Sequence, residues 1–235
     1  MTDNNLPRIE RGETKMIVPH ETGEAVFIHP NQGPYNYQTI GRGIIARGLD
    51  VPTGEYNASL LHSAYCSDAK DEPEFKEVRD DMRNRWLWTF NHNIWTPKGL
   101  FVVTDLKAEG LSKDFSVAQL EKRLKGAKEL SFGGIRMSKN GSVRFAPVGS
   151  YEFGVQEDLS TQGDVIVNYN VEGAKKLAEV GSKFNSKPRT WGVEVNEGGE
   201  PVHRVASLSS RDDRLIVDDG NWDDYSHGCA FGVLK

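Results

Sequence analysis

Residues 204–235 read RVASLSSRDDRLIVDDGNWDDYSHGCAFGVLK, and this stretch decides how the fold is read. Arg204–Leu208 and Arg214–Val217 are short runs of alternating apolar and polar residues, which is strand patterning. The residues between them, SSRDD, have the composition of a turn. A long polar loop follows, and Ala230–Leu234 is a last apolar run. Strand, turn, strand, loop and strand predict a β-rich end of the chain. Leu215, Val217, Trp222, Phe231 and Val233 are its candidate core anchors. The polar residues between them are expected to point outward.

The same stretch concentrates negative charge. Asp212, Asp213, Asp218, Asp219, Asp223 and Asp224 fall within thirteen residues that hold one cation, Arg214, in a chain of net charge −5. Phosphate backbones are held by Lys and Arg, so this surface is expected to repel DNA and RNA. Nucleic acid is not an expected partner.

Upstream, the chain alternates helical and strand patterns. Met16–Val18 and Ala25–His29 read as strands on either side of a His-Glu-Thr-Gly turn, and Pro30–Tyr37 reads as loop. A helix is predicted over Gly54–Tyr65 with Thr53 as its cap; Leu60, Leu61 and Ala64 face inward, and Asn57 and His62 face away. Phe75, Val78, Met82 and Trp86 repeat at helical spacing and predict a second helix, with Glu77 and Asp81 alternating with Arg79 and Arg83 on its outer side. The aromatic run WLWTFNHNIW leads into an apolar strand at Gly99–Asp105. Ser116–Leu124 reads as a short helix, and IRMSKNGSVRF as a hairpin turning at Asn140-Gly141. Val171–Phe184 reads as a helix and Trp191–Val195 as a strand. The fold class expected is α+β, with few helices, many short strands and extensive loops.

A chain of 235 residues is long for one domain and short for two, and it is large enough to bury a core without staples. Residues 1–13 are polar and expected to be flexible, and residues 14–235 are expected to form one domain. The start, MTDNNLPRIERGET, lacks the apolar stretch of a secretory signal, and no apolar run approaches the roughly 18 residues of a membrane span. A cytoplasmic or virion-associated protein, not inserted in a membrane, is expected. Cys66 and Cys229 read as reduced thiols.

Taken together, residues 205–234 resemble the C-type-lectin-fold domains of the Lcl C-terminal type, and among these the variable proteins of diversity-generating retroelements, of archaeal or viral kind. PTGEYNASLLHSAYC (52–66) and NRWLWTFNHNIW (84–95) are similar to the early helices of such proteins. The resemblance implies a C-type-lectin fold with short antiparallel strands. It also implies that a reverse transcriptase diversifies adenines in AAC or AAT codons. Such codons reach many residues but never Lys, Glu, Gln, Met or Trp. Residues 201–234 contain none of these except Trp222, whereas Lys and Glu are frequent up to Lys187 and Glu200. Two buried strands would exclude Lys and Glu without any retroelement, but the polar loop between them would not.

The implied function is recognition of a macromolecular or cell-surface ligand, not catalysis, with no cofactor and no metal. The expected ligand-binding residues are Ser209, Ser210, Arg211, Asp212, Asp213, Asp218, Asp219, Asn221, Asp223, Asp224, Tyr225, Ser226, His227 and Gly228. They are expected to form one exposed hypervariable face over a rigid frame. Tyr225 is the expected energetic anchor.

Three other readings remain open. Ser226–Cys229, SHGC, matches the nucleophile motif of L,D-transpeptidases, which need a thiolate beside an imidazole. Against this, the acidic loop would raise the thiol pKa. Glu200-Pro201 and Asn221–Asp224 loosely echo the calcium ligands of animal C-type lectins, although Val202 stands where an amide is needed. The sulfatase-modifying enzymes of the same fold would need Cys66 and Cys229 as neighbours. His20, His29, His62, His92 and His203 lack metal-ligand spacing and read as surface or loop residues, and Gly133-Gly134 and Gly198-Gly199 read as turns.

Overall fold

The computed structural model describes residues 8–10, 15–110, 116–130, 133–220 and 226–234. The chain opens with β1 (Arg8–Glu10), β2 (Lys15–His20) and β3 (Gly23–Ile28), an antiparallel three-stranded sheet, followed by β4 (Gln32–Tyr35). Next come α1 (Tyr37–Ala46), α2 (Gly54–Cys66) and α3 (Pro73–Asn84), then β5 (Trp86–Thr96) and β6 (Gly99–Thr104). The middle of the chain forms α4 (Val117–Arg123), β7 (Lys128–Glu129), β8 (Arg136–Met137), β9 (Val143–Pro147), β10 (Gly154–Val155) and α5 (Gly163–Gly181). It closes with β11 (Arg189–Thr190), β12 (Val202–Arg211), β13 (Arg214–Gly220) and β14 (Gly228–Ala230). The class is α+β, as the patterning predicts.

The large sheet runs β10-β11-β13-β12-β5-β6-β9-β8-β7, with β14 pairing β4 and, in parallel, β5. One face of it is covered by α2, α3 and α5, whose Leu60, Leu61, Phe75, Val78, Met82, Leu177 and Val180 pack with Leu87, Trp95, Leu208, Leu215 and Val217. The opposite face is covered in two places. Tyr37, Ile40 and Ile44 of α1 pack on Trp88, Phe90, Val205 and Ala230, and Leu120 and Leu124 pack on Ile94, Phe101 and Phe145.

Local chemistry sets the helix ends. Asn36 caps α1 by accepting the Thr39 N–H at 2.9 Å, and Ser116 and Gln119 form a reciprocal capping box at the start of α4. Pro73 occupies the first turn of α3, where its missing N–H costs nothing.

The structure departs from the patterning at particular residues. Trp86 opens β5 and is not the last turn of α3, and Trp191–Val195 is not a strand beyond its join to β11. Asn57 faces inward, fully buried, with its side-chain amide donating to the Trp88 carbonyl at 2.9 Å. The α5 helix begins eight residues before the predicted Val171, and Asn170 breaks it with left-handed backbone (φ 56°). The Asn170 carboxamide accepts the Gly173 N–H at 2.8 Å and so restarts the helix, which is why only the second half carries continuous periodicity.

The end of the described chain returns to its start. Ile28 N–H donates to the Gly232 carbonyl at 2.8 Å, Leu234 N–H to the Val26 carbonyl at 2.9 Å, and Val233 bridges both Phe27 and Asp50. Phe231 and Val233 are buried, as anchors should be. No helix of the described residues is long and apolar enough to cross a membrane.

Candidate functional site

A two-residue turn, Asp212-Asp213, joins β12 to β13, and both residues take left-handed backbone (φ 53° and 52°). Two-residue hairpins need this backbone for their twist, and Asp tolerates it better than most side chains. The turn is held from outside: the Asp213 carbonyl accepts the Ser186 N–H at 3.0 Å, and its carboxylate accepts the Asn185 side-chain amide.

The register pairs Arg211 with Arg214, Ser209 with Ile216 and Ser207 with Asp218. Strand side chains alternate, so these six share one side of the sheet, while Leu208, Leu215 and Val217 fill the core on the other. On the outward side, Arg83, Arg85, Trp86, Arg189, Trp191, Ser209, Ser210, Arg211, Asp212, Arg214, Ile216 and Asp218 border a groove of about 670 Å³.

Five arginines meet two aspartates in this groove. Arg83 pairs with Asp80 at 2.9 Å and Arg85 with Asp81 at 3.1 Å. Among the described residues, Arg189, Arg211 and Arg214 have no ion-pair partner. The Arg189 guanidinium lies over the Trp191 ring, 4.1 Å from its centroid. The Nε atoms of Arg189 and Arg214 are buried and lack a hydrogen-bond partner. Burial pushes the Asp218 carboxyl up from its usual range, although it accepts the Asp219 N–H at 2.7 Å.

The expected ligand residues divide. Ser209, Ser210, Arg211, Asp212 and Asp218 border the groove, although the two serines are nearly buried. Asp213, Ser226 and His227 are exposed. Asn221, Asp223, Asp224 and Tyr225, with the anchor Trp222, lie outside the described residues. Ser210, Asp219 and Gly228 correct the expectation of outward orientation. Ser210 pairs with Leu215, so its side chain shares the core side. Alternation turns Asp219 inward, where its carboxylate accepts from the Asn93 amide and the Trp95 indole, each at 2.5 Å. Gly228 is buried in β14, and a Cβ there would stand 1.8 Å from Trp88 Nε1. Gly228→Ala is therefore expected to cost about 1–3 kcal/mol through overpacking, read as a lower urea midpoint. An unchanged midpoint would return Gly228 to the tolerant set.

The inward side holds a buried acidic cluster. Burial raises the Asp219 carboxyl well above the usual range, and Asp218 adds to the shift. Asp164, at the start of α5, is pushed up to about 7 by burial, with its own and the Val165 N–H groups opposing. Both carboxyls act on Tyr151 and Tyr169, whose hydroxyls burial pushes up as well.

Cys229 is fully buried and its thiol is pushed up, first by burial and then by Asp81, so thiolate formation at SHGC is disfavoured. Both cysteines are free. His92 corrects the surface reading of the histidines. It is buried beside His203, ring nitrogens 3.2 Å apart, and burial followed by His203 lowers its pKa to about 4.

Arg83, Asn84, Arg85, Trp86, Arg189, Trp191, Arg214 and Ile216 are the groove residues that sequence reasoning missed. The spacing Arg189-Thr190-Trp191 did hold a signal, since residues two apart on a strand share a side. No family model, curated protein or solved structure matches the chain.

Proposed function

We propose that this chain is a ligand-binding protein, a retroelement variable protein of C-type-lectin fold, and that the outward side of β12 and β13 is its diversified surface. The observation that carries the reading is the division of labour along these two strands. Leu208, Leu215 and Val217 face the core and hold the backbone, while Ser209, Arg211, Asp212 and Asp218 border an open groove. Side chains that the core does not use are free to vary, because exposed substitutions usually change stability by no more than about 0.5 kcal/mol. The absence of Lys, Glu, Gln and Met from residues 201–234 fits diversification of AAC codons. The ligand is macromolecular, and the chain's part is recognition without bond chemistry.

The test is a displayed library randomised at Arg211, Asp212, Asp213, Asp218, Ser226 and His227, beside a second library at Leu208, Leu215 and Val217. Most members of the first should fold, and selection against an immobilised protein target should enrich binders. Most members of the second should unfold. Equal loss of folding in both libraries would mean that the outward side is structural, and the reading would fail.

A further inference from the structure

The groove's own side chains specify more than a surface for binding. Resting on the proposal that this side of the sheet is the ligand site, we infer that the present sequence is fitted to an acidic polypeptide segment, one that presents Asp or Glu side chains to Arg189, Arg211 and Arg214.

The net charge of the chain is −5, yet the groove gathers five arginines against Asp212 and Asp218. Two of these cations are already paired on α3, with Asp80 and Asp81. Among the described residues the other three have no ion-pair partner. Arg211 and Arg214 stand directly opposite each other across the hairpin, an arrangement of like charges that works against the fold unless an anion joins it. The Nε atoms of Arg189 and Arg214 are buried without an acceptor, so the fold itself does not satisfy these two guanidinium groups in full. A guanidinium meets a carboxylate through two parallel hydrogen bonds, so the residue type suits this partner better than lysine would.

Phosphate chains offer charge of the same sign but suit the groove less well. DNA repeats its charge every few ångströms and its sugar–phosphate backbone carries no donor, so it would set phosphates against Asp212 and Asp218. A polypeptide spaces its carboxylates apart and offers N–H groups between them. Asp212, Asp218 and Ser209 are acceptors for those donors. Tryptophan and arginine together are also the residues most enriched where protein interfaces bind hardest, and Trp191 remains 47 % exposed beneath Arg189.

The experiment titrates the whole chain against a fluorescein-labelled peptide of alternating glutamate and glycine, followed by fluorescence polarisation. A lysine–glycine peptide and an oligothymidylate serve as the contrasting probes. The glutamate peptide should bind best, and its affinity should fall as salt is raised. Arg211→Glu, at an exposed position, replaces the like-charge pair with Arg214 by an opposite-charge one, so it should not lower the melting temperature, and it should weaken binding about tenfold. Arg214→Lys should weaken it less than Arg214→Glu. Tighter binding of either contrasting probe, or an affinity for the glutamate peptide that ignores Arg211→Glu, overturns the assignment. Library binders obtained only for basic or neutral targets would also overturn it while leaving the binding surface intact. A library without any binder removes the surface itself.

Discussion

Glu55→Ala should cost about 3–5 kcal/mol of folding stability, because it strands a buried positive charge. Arg144 is 2 % exposed, and its guanidinium pairs with the Glu55 carboxylate beside α2. The same guanidinium donates to the Thr104 hydroxyl at 3.2 Å and, at the limit of hydrogen-bond length, to the Asn91 carboxamide at 3.4 Å. Neither neutral group replaces an anion. Burial alone would raise the Glu55 carboxyl, but Arg144 and the Thr53 hydroxyl outweigh it and leave the group below its usual range. A carboxyl held low contributes stability above its unfolded pKa of 4.5, and that stability is lost as pH falls through the folded value. Urea unfolding at neutral pH measures the loss directly. The double variant Glu55→Ala/Arg144→Met should lose less than Glu55→Ala alone, since it removes both charges. A single-variant loss under about 1 kcal/mol would show the pair to be as weak as an exposed one.

Asp164→Asn is expected to act in the opposite direction, stabilising the protein by on the order of 3 kcal/mol at pH 8 and by almost nothing at pH 4. The Asp164 carboxyl titrates near 7 when folded and near 3.8 when unfolded, because burial opposes its ionised form. Between those values the folded chain holds a proton that the unfolded chain has released. The stability of the protonated form is therefore complete below pH 3.8 and drains away as pH rises through 7. Asp219 adds to the same side. His92 works against them. Its folded pKa of about 4 lies below the unfolded 6.5, so stability falls as pH drops through that range. In the native protein His92 offsets part of the acidic slope. Asp164→Asn removes one of the acidic contributions and leaves Asp219, so between pH 4 and pH 6.5 the variant should gain stability relative to the parent as pH rises. Unfolding midpoints across that range check this, and a variant no more stable than the parent at pH 8 would refute it.

Legibility in the sequence followed how many sides of each element are buried. The helices α3 and α4 each have one buried side, and their periodicity located them; α2 was located as well, but it is covered nearly all round, which is why Asn57 was read as facing away. β5 was harder. Ten of its eleven residues are buried, because helices α2 and α3 cover one side while α1 and α4 cover the other, so no alternation survives. α1 was missed for a different reason. Gly41 and Gly43 weaken its helical signal, and Gly41 is there because a Cβ would meet Ala108 Cβ at 2.1 Å and Phe90 at 2.6 Å. At the candidate site, alternation along β12 and β13 correctly turned Arg211 and Asp218 outward, yet it was not carried through to Asp219, which the same rule turns inward. The arginines and tryptophans opposite come from α3, β5 and β11. Only the sheet order brings them to the hairpin, and sheet order is not written in any local pattern.

The pairing of Val233 with Phe27 joins segments that lie almost the whole chain apart. A ribosome makes β3 well before residues 232–234, so the open edge of the first sheet waits for its partner until they emerge. An uncovered strand edge is a template for pairing with another chain. Contacts this remote in sequence also close slowly. Yield in cells should therefore depend on what shields β3 during translation: overloading the translation machinery should drive the nascent protein into aggregates, even though the finished fold has that edge closed.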